Sequence, residues 1–413
     1  MSCFYRQTSR KRPWWSSGFS TFTSDNNIND DDGMTPETRH LAETLLSTPT
    51  DPSKATDSTA QPIVPWWEHR RALSQAITLV ESTKTQDQQQ ALQLLQWVQM
   101  QPLAQQRLNS SLRIGLAGPP GAGKSTLVEA LGMYVLQQQP EQPAPDSSST
   151  ISTSWTPDRV AVVCIDPSGQ RGGSILGDKT RMVELSRHPK AYCRPAPTRG
   201  TLGGVAVATQ EVITLCQVAG YPLVLLETVG LGQSEVDVAQ VTDCNVLLIP
   251  PGGGDALQGV KKGILEIANL IVVTKADGTL LPAAKKTAAD YQGALQFFNT
   301  VGPTMSNDDC GADRPQVLLV SSETGHGLDE LWQHLVRFRH DNLSAIQSRR
   351  QSQNDYWMWK HVQNFLERQI HHDTRLKERA IAMHEALRKG QTTPRAAAKD
   401  LLDAWQQAGN GKD

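Results

Sequence analysis

The chain has 413 residues, of which 38% are hydrophobic and 20% are charged, and its formal net charge is −2. This near-neutral charge gives no support for nucleic-acid binding. No apolar run approaches the roughly 20 residues that a membrane-spanning helix needs. The six cysteines are scattered without a C-x-x-C pair, which argues against a zinc site or a disulfide framework and suits a reducing compartment. We therefore expect a soluble chain of two or three domains that binds neither nucleic acid nor a membrane.

The first 61 residues are expected to lie outside the folded part. Residues 1–24 contain no Asp or Glu, many Ser and Thr, and four basic residues, Arg6, Arg10, Lys11 and Arg12. This composition is typical of an organelle transit peptide, here for the mitochondrial matrix. The cytoplasm, another organelle and a simple unstructured tail remain open. Residues 25–61 are rich in Asp, Thr, Ser and Pro and are predicted to be a disordered linker.

A helical segment is predicted over residues 62–110. Within residues 70–82 the apolar residues fall on one helical face, and residues 88–100 show the same spacing. Such stripes usually pack into a core, so no chemistry is assigned to this pair of helices.

The stretch that suggests a function begins at Gly118. It fits G-x-x-x-x-G-K-[ST], the phosphate-binding loop. A short apolar strand, residues 112–117, precedes it, and residues 127–136 have helical periodicity. Strand, glycine loop and helix are the context that this motif needs. The predicted nucleotide-binding residues of the loop are Gly118, Pro119, Pro120, Gly121, Ala122, Gly123, Lys124, Ser125 and Thr126.

The chemistry of this loop follows from its residue types. Glycines allow the backbone to curl, so that its N–H groups converge on phosphate oxygens at a helix N-terminus. Lys124 is expected to neutralise the β- and γ-phosphates, and the Ser125 hydroxyl to bind Mg²⁺. We expect a bound nucleoside triphosphate with Mg²⁺.

Residues 111–340 are predicted to form an α/β domain around a mostly parallel sheet covered by helices. Beyond the loop strand, near-continuous apolar strands alternate with helical segments. These strands cover residues 160–165, 223–227, 246–249, 271–274 and 317–320. Because such sheets bind ligands at the carboxyl ends of their strands, the polar residues at those ends are the candidate site.

A guanine-specific motif follows one of these strands. Residues 274–277 read T-K-A-D and fit [NT]-K-x-D. Guanine presents two adjacent donors, N1–H and the 2-amino group, and a carboxylate accepts from both, so Asp277 would reject adenine. We expect Thr274, Lys275 and Asp277 to bind the base, supported by Ser321 and Ser322 through backbone N–H groups.

Three acidic residues are candidates near Mg²⁺ and, with Lys124, for the catalytic set: Asp166, Asp178 and Glu227. Asp166 and Glu227 end strands that we expect beside the loop strand, and Asp178 lies in a glycine-containing loop. Gly230 follows Glu227 where many GTPases carry Asp-x-x-Gly, and its N–H is expected to contact the γ-phosphate. Each carboxylate has a simpler alternative role, as a helix cap or a solvated loop residue.

The last segment, residues 341–413, is predicted to be a purely helical arm. Its apolar residues favour either a dimer contact or an intramolecular cap on the sheet, and the sequence does not decide between them.

Several long motifs in order resemble one family, the MeaB/ArgK GTPases, which include the methylmalonic aciduria type A proteins. The matching segments are residues 172–182, 194–204, 227–235, 257–263 and 274–277. The resemblance implies a SIMIBI-class P-loop GTPase with N-terminal helices and a C-terminal dimerisation arm. It implies Mg²⁺-dependent GTP hydrolysis and a homodimer. It also implies a partner, adenosylcobalamin-dependent methylmalonyl-CoA mutase, whose cofactor loading and reactivation the GTPase would govern.

The sequence leaves two other functions open. One is a P-loop kinase that transfers the γ-phosphate to a small molecule or a protein, which would need an acceptor site with a general base. The other is a metal-inserting GTPase, against which the lack of paired Cys and of a dense His tract counts.

Overall fold

The structure is a computed structural model, and it describes residues 33–50, 63–138, 155–166, 182–197, 207–228, 238–252, 267–301 and 315–410. The strands are β1 (Thr48–Thr50), β2 (Ile63–Pro65), β3 (Leu112–Ala117), β4 (Val160–Asp166), β5 (Ala191–Pro197), β6 (Leu223–Glu227), β7 (Cys244–Ile249), β8 (Leu270–Val273) and β9 (Gln316–Leu319). The helices are α1 (Pro36–Leu46), α2 (Trp66–Glu81), α3 (Thr85–Met100), α4 (Pro102–Ser110), α5 (Lys124–Gln137), α6 (Val183–Arg187), α7 (Val207–Val218), α8 (Leu281–Val301), α9 (Leu328–Asp341), α10 (Leu343–His372), α11 (Thr374–Arg388) and α12 (Pro394–Asn410). Across these ranges, no helix has the length and apolar character needed to cross a bilayer.

A parallel sheet forms the centre of the described chain. Its seven strands follow the order β5-β4-β6-β3-β7-β8-β9, and every neighbouring pair is parallel. Both faces are covered, one by α5 and α9 and the other by α7 with the N-terminal helices. This explains why the strands are almost continuously apolar. The prediction of a helix-covered parallel sheet is confirmed, and each predicted strand overlaps an observed one.

Strand β5 was not among the predicted strands. It contains Pro195 and Pro197, and proline within an apolar run argues against a central strand. However, β5 is the edge strand and pairs on one side with β4. A proline is tolerated there because it removes no hydrogen bond from the interior of the sheet.

The predicted linker over residues 25–61 is wrong in part, because residues 36–46 form helix α1. Thr35 caps this helix through its side chain, which accepts from the Thr38 N–H. Ala42 and Leu45 are fully buried against the helices that follow. The short apolar stripe was hidden by the polar composition of its surroundings. Residues 48–50 of the segment form β1, whereas residues 25–32 and 51–61, like the predicted transit peptide over residues 1–24, lie outside the described residues.

The N-terminal helices α2 and α3 contain the two predicted helical segments, and α4 adds a third helix. Arg107 of α4 joins three elements, because its Nη1 donates to the carbonyls of Leu45 (3.1 Å) and Val218 (2.6 Å). These carbonyls lie in α1 and at the end of α7. The N-terminal helices are therefore fixed to the face of the sheet that α7 covers.

The first half of α10 is bound to the α/β domain. Gln353 Nε2 donates to the carbonyls of Ala239 (2.9 Å) and Thr242 (2.8 Å), and Trp357 Nε1 donates to that of Gln240 (2.8 Å). Gln353 and Trp357 are both buried. Of the two roles weighed for the arm, an intramolecular contact therefore describes this half.

A buried ionic cluster at the amino ends of β3 and β7 anchors α10. Asp243 accepts from the guanidinium of Arg113, at 2.6 and 3.1 Å, and from Arg350 Nε at 2.8 Å. Burial alone would raise the pKa of the Asp243 carboxyl. The Arg113 charge, together with the hydrogen bonds and charge of Arg350, outweighs burial and holds this pKa well below its usual range. The side chain of Asp243 is completely buried.

Removing this charge tests the anchor. We expect Asp243→Asn to destabilise the protein by about 3–5 kcal/mol, because it leaves two guanidinium groups without their counter-charge in a buried cluster. The measurement is the chemical denaturation midpoint. Asp400→Asn is a matched control, since Asp400 also forms a two-contact pair with an arginine, Arg379, but on the surface. It should change the midpoint little. If Asp243→Asn and Asp400→Asn have equal denaturation midpoints, the buried cluster does not anchor α10.

Candidate active site

The phosphate loop joins the end of β3 to the beginning of α5. Its first glycine is required by a close approach, since a Cβ on Gly118 would lie 2.5 Å from the Leu248 carbonyl oxygen. Gly123 occupies the N-cap of α5 with φ of +83°, a left-handed conformation that side chains disfavour. The N–H groups of Lys124, Ser125 and Thr126 follow at the first turn of α5, and N–H groups at the beginning of a helix are directed at bound anions. The loop therefore has the geometry of an anion site.

Lys124 lies across the loop that precedes it. Its Nζ donates to the carbonyl oxygens of Gly118 (2.8 Å) and Pro119 (3.0 Å), and the side chain is buried. The ammonium group is thus held within the loop whose N–H groups would bind phosphate. That this group neutralises the β- and γ-phosphates stays a prediction.

Ser125 and Glu227 are brought together by the fold. Glu227 ends β6, which pairs directly with the loop strand β3. The Ser125 Oγ donates to Glu227 Oε1 at 2.5 Å, and both side chains are buried. A hydroxyl and a carboxylate, separated by 102 positions in the chain, therefore meet beside the phosphate loop.

The other predicted acidic residues are placed less completely. Asp166 ends β4, as expected, but β4 pairs with β6 rather than with the loop strand, so its strand is one position further out than we predicted. The side chain of Asp166 lies outside the described residues, as do Asp178 and Gly230. Their roles stay predictions.

The T-K-A-D segment leaves β8 and turns back onto the phosphate loop. The buried Thr274 Oγ1 donates to the Ala122 carbonyl at 2.7 Å, and it also lies 3.3 Å from that of Ile249. Lys275 follows with φ of +53°, and its Cε would be 3.9 Å from a Cβ on Gly123. The two motifs predicted from separate parts of the sequence therefore lie next to each other.

Asp277 is oriented by the loop after β9. The Ser321 hydroxyl donates to Asp277 Oδ2 and accepts from the Thr324 N–H at 3.1 Å. The backbone N–H of Ser321 donates to the His326 carbonyl at 2.9 Å. We expected Ser321 to act through its N–H, and this part of the prediction is wrong, because that N–H closes the turn and the hydroxyl holds the carboxylate. Ser322 is half-buried in the same turn.

One contact of this site carried no signal in the sequence. The Cys164 Sγ donates to Glu227 Oε2 at 3.8 Å. A cysteine inside an apolar strand looks like an ordinary core residue. Only the pairing of β4 with β6 reveals the contact.

Comparison with known proteins identifies the family. The family model of the methylmalonyl Co-A mutase-associated GTPase MeaB matches residues 73–144 and 147–375. The chain belongs to the MeaB family. A mouse relative, methylmalonic aciduria type A homolog, mitochondrial, is 41% identical over 82% of this chain and 77% of its own length. The GTPase ArgK of Escherichia coli is 38% identical over 71% of this chain and 80% of its own.

A solved structure supports the same conclusion. The crystal structure of an LAO/AO transport system kinase has a TM-score of 0.57 and 26% identity, and the match covers 92% of this chain and all of that one. This MeaB-family chain therefore has the P-loop GTPase fold, with a mostly parallel sheet. It is a GTP-hydrolysing enzyme, as the sequence predicted.

The base-recognition geometry can be tested by changing the donor and acceptor pattern. We expect Asp277→Asn to shift preference from GTP towards XTP by at least about 100-fold, because the amide offers a donor where guanine also has one. Competition between GTP and XTP for binding measures the ratio. Asp290→Asn, on the exposed face of α8, is the control and should keep the preference for GTP. Unchanged selectivity in Asp277→Asn would show that the base lies elsewhere.

Proposed function

We propose that this GTPase is a Mg²⁺-dependent chaperone of adenosylcobalamin-dependent methylmalonyl-CoA mutase. In this role it governs cobalamin loading and protects or reactivates the mutase. The observation that carries the nucleotide part is the single site formed by the phosphate loop, Glu227 and the T-K-A-D segment. The mutase part is supported by family membership, since the family model is described as mutase-associated.

The residues of the site suit Mg²⁺. Mg²⁺ takes oxygen ligands, and Ser125 and Glu227 supply a hydroxyl and a carboxylate within 2.5 Å of each other. In the described part of the chain, no group of three or more His, Cys, Asp or Glu side chains is arranged for a metal. This agrees with a site that is shared with substrate phosphates. We propose that Asp166 and Asp178 complete it.

Each residue of the site then has a defined task. The N–H groups at the beginning of α5 bind phosphate oxygens, and Lys124 balances the charge on the β- and γ-phosphates. Mg²⁺, when bound, neutralises charge that develops on those phosphates. Glu227 holds Ser125 and would hold Mg²⁺ together with it, and the Gly230 N–H would contact the γ-phosphate. Asp277 accepts from guanine, while Ser321 keeps its carboxylate in place and Ser322 supports the base through its N–H.

The second half of α10 favours a homodimer. Beyond the docked Trp357, α10 exposes Met358, Trp359, Val362 and Phe365. Met358, Val362 and Phe365 recur at the spacing of one helical face. Exposed apolar side chains in such a run mark interaction surfaces. We propose that a second copy of the chain covers this face, and the molar mass in solution, measured by light scattering, tests it.

The mitochondrial matrix is the proposed location. The acid-free, basic composition of residues 1–24 supports it, and the mouse and Caenorhabditis elegans relatives are named mitochondrial. Bacterial relatives are equally similar, so the relatives alone do not decide the compartment. Import and cleavage of the full chain by isolated mitochondria test the proposal.

The chaperone role predicts nucleotide-dependent binding to the mutase. The amount of purified mutase bound to the full chain should differ between the GDP-loaded GTPase and the GTPase loaded with a non-hydrolysable GTP analogue. The mutase should also accelerate GTP hydrolysis by the GTPase. Both quantities are measured with the same preparation, by pull-down and by phosphate release.

Two variants serve as controls. Lys124→Ala should lose nucleotide binding and with it the nucleotide dependence of the complex. Lys286→Ala, which removes an exposed lysine of α8, should behave as wild type. GTP hydrolysis without any binding or stimulation would contradict the mutase as client and leave the GTPase activity standing.

A further inference from the structure

Both oxygens of the Glu227 carboxylate are held by neighbouring side chains. Ser125 Oγ donates to Oε1 at 2.5 Å, and Cys164 Sγ donates to Oε2 at 3.8 Å. The first contact comes from helix α5 and the second from strand β4. The carboxylate is therefore held between two structural elements rather than by one.

The position of Cys164 is fixed by the sheet. Cys164 pairs with Glu227 in the parallel register of β4 and β6, and Glu227 pairs with Leu116 of β3. Laterally paired residues of neighbouring strands point to the same face of a sheet. Cys164 and Leu116 both belong to the core beneath α5, so the thiol is directed to the side on which Ser125 lies.

The contact is also shielded from water. The exposed fractions are 4% for Cys164, 7% for Glu227 and 8% for Ser125. Hydrogen bonds are stronger in such an environment than in water. A thiol is an intrinsically weak donor, but here its acceptor is a carboxylate that little water reaches.

We propose that Cys164 is a positioning residue for the metal site. Its thiol holds Oε2 of Glu227, so that Oε1 stays directed at Ser125 and at the Mg²⁺ that these residues would hold. This inference rests on the proposed Mg²⁺ role of Glu227. If the Ser125 hydroxyl became a ligand of Mg²⁺, Cys164 would keep its contact with the carboxylate. Cys164 then limits the rotation of the carboxylate while Ser125 changes partner.

A matched pair of substitutions separates positioning from packing. Cys164→Ala and Cys164→Ser both remove the sulfur and leave a smaller side chain, but serine retains a donor. The readout is the Mg²⁺ concentration that gives half of the maximal enhancement in binding a fluorescent GDP analogue, which requires no turnover. We expect Cys164→Ala to raise it about three- to tenfold, at or below the lower end of the roughly 10–100-fold effects of residues that orient metal ligands, because a thiol is a weak donor. Cys164→Ser should lie closer to wild type.

Two further variants make the outcome decisive. Cys244→Ala removes a buried cysteine at the beginning of β7 and should leave the Mg²⁺ dependence unchanged. Glu227→Gln should shift it more than Cys164→Ala does. If Glu227→Gln shifts it and Cys164→Ala does not, or if the serine variant is as impaired as the alanine variant, the positioning role is overturned. If Glu227→Gln leaves it unchanged, the proposed metal role of Glu227 fails, and with it this inference.

Discussion

The hydroxyl of Thr274 connects the two halves of the nucleotide site. It donates to the carbonyl of Ala122 in the phosphate loop, 152 positions away in the chain, and it is buried. A buried hydroxyl needs such a partner, because leaving it without one costs about 1–3 kcal/mol. The contact therefore fixes the distance between the loop proposed to bind phosphate and the segment that leads to Asp277. A nucleotide has a fixed length, so recognition of both its ends depends on this spacing.

Strand β3 contributes to both ends of the α/β domain. At its carboxyl end, β3 leads into the phosphate loop. At its amino end, Arg113 joins the Asp243 cluster that anchors α10. The nucleotide site and the base of the arm thus lie at opposite ends of one strand. Further along α10, His361 Nε2 lies 3.7 Å from Oε1 of Glu211 in α7. Burial is the main reason that the pKa of the Glu211 carboxyl is raised to about 7. The arm is attached to the domain at more than one point.

The parts of the site that the sequence predicted are those encoded by short, contiguous motifs. The phosphate loop and T-K-A-D each need particular residue types at fixed spacing, and the apolar strands around them are long enough to recognise. What the sequence did not predict depends on contacts between distant residues. Three features arise only when the folded chain brings distant residues into contact. They are the Asp243 cluster, the Cys164 contact with Glu227 and the Ser321 hydroxyl contact with Asp277. Strand β5 and helix α1 were missed because their local composition resembles that of loops.

One guanine nucleotide is proposed to span the phosphate loop and Asp277. A crystal structure of the full chain with GDP and Mg²⁺ tests it most directly. We expect phosphates against the N–H groups of Lys124 and Ser125, and guanine N1 and N2 within hydrogen-bond distance of Asp277. Phosphates bound away from this loop, or a base remote from Asp277, would contradict it.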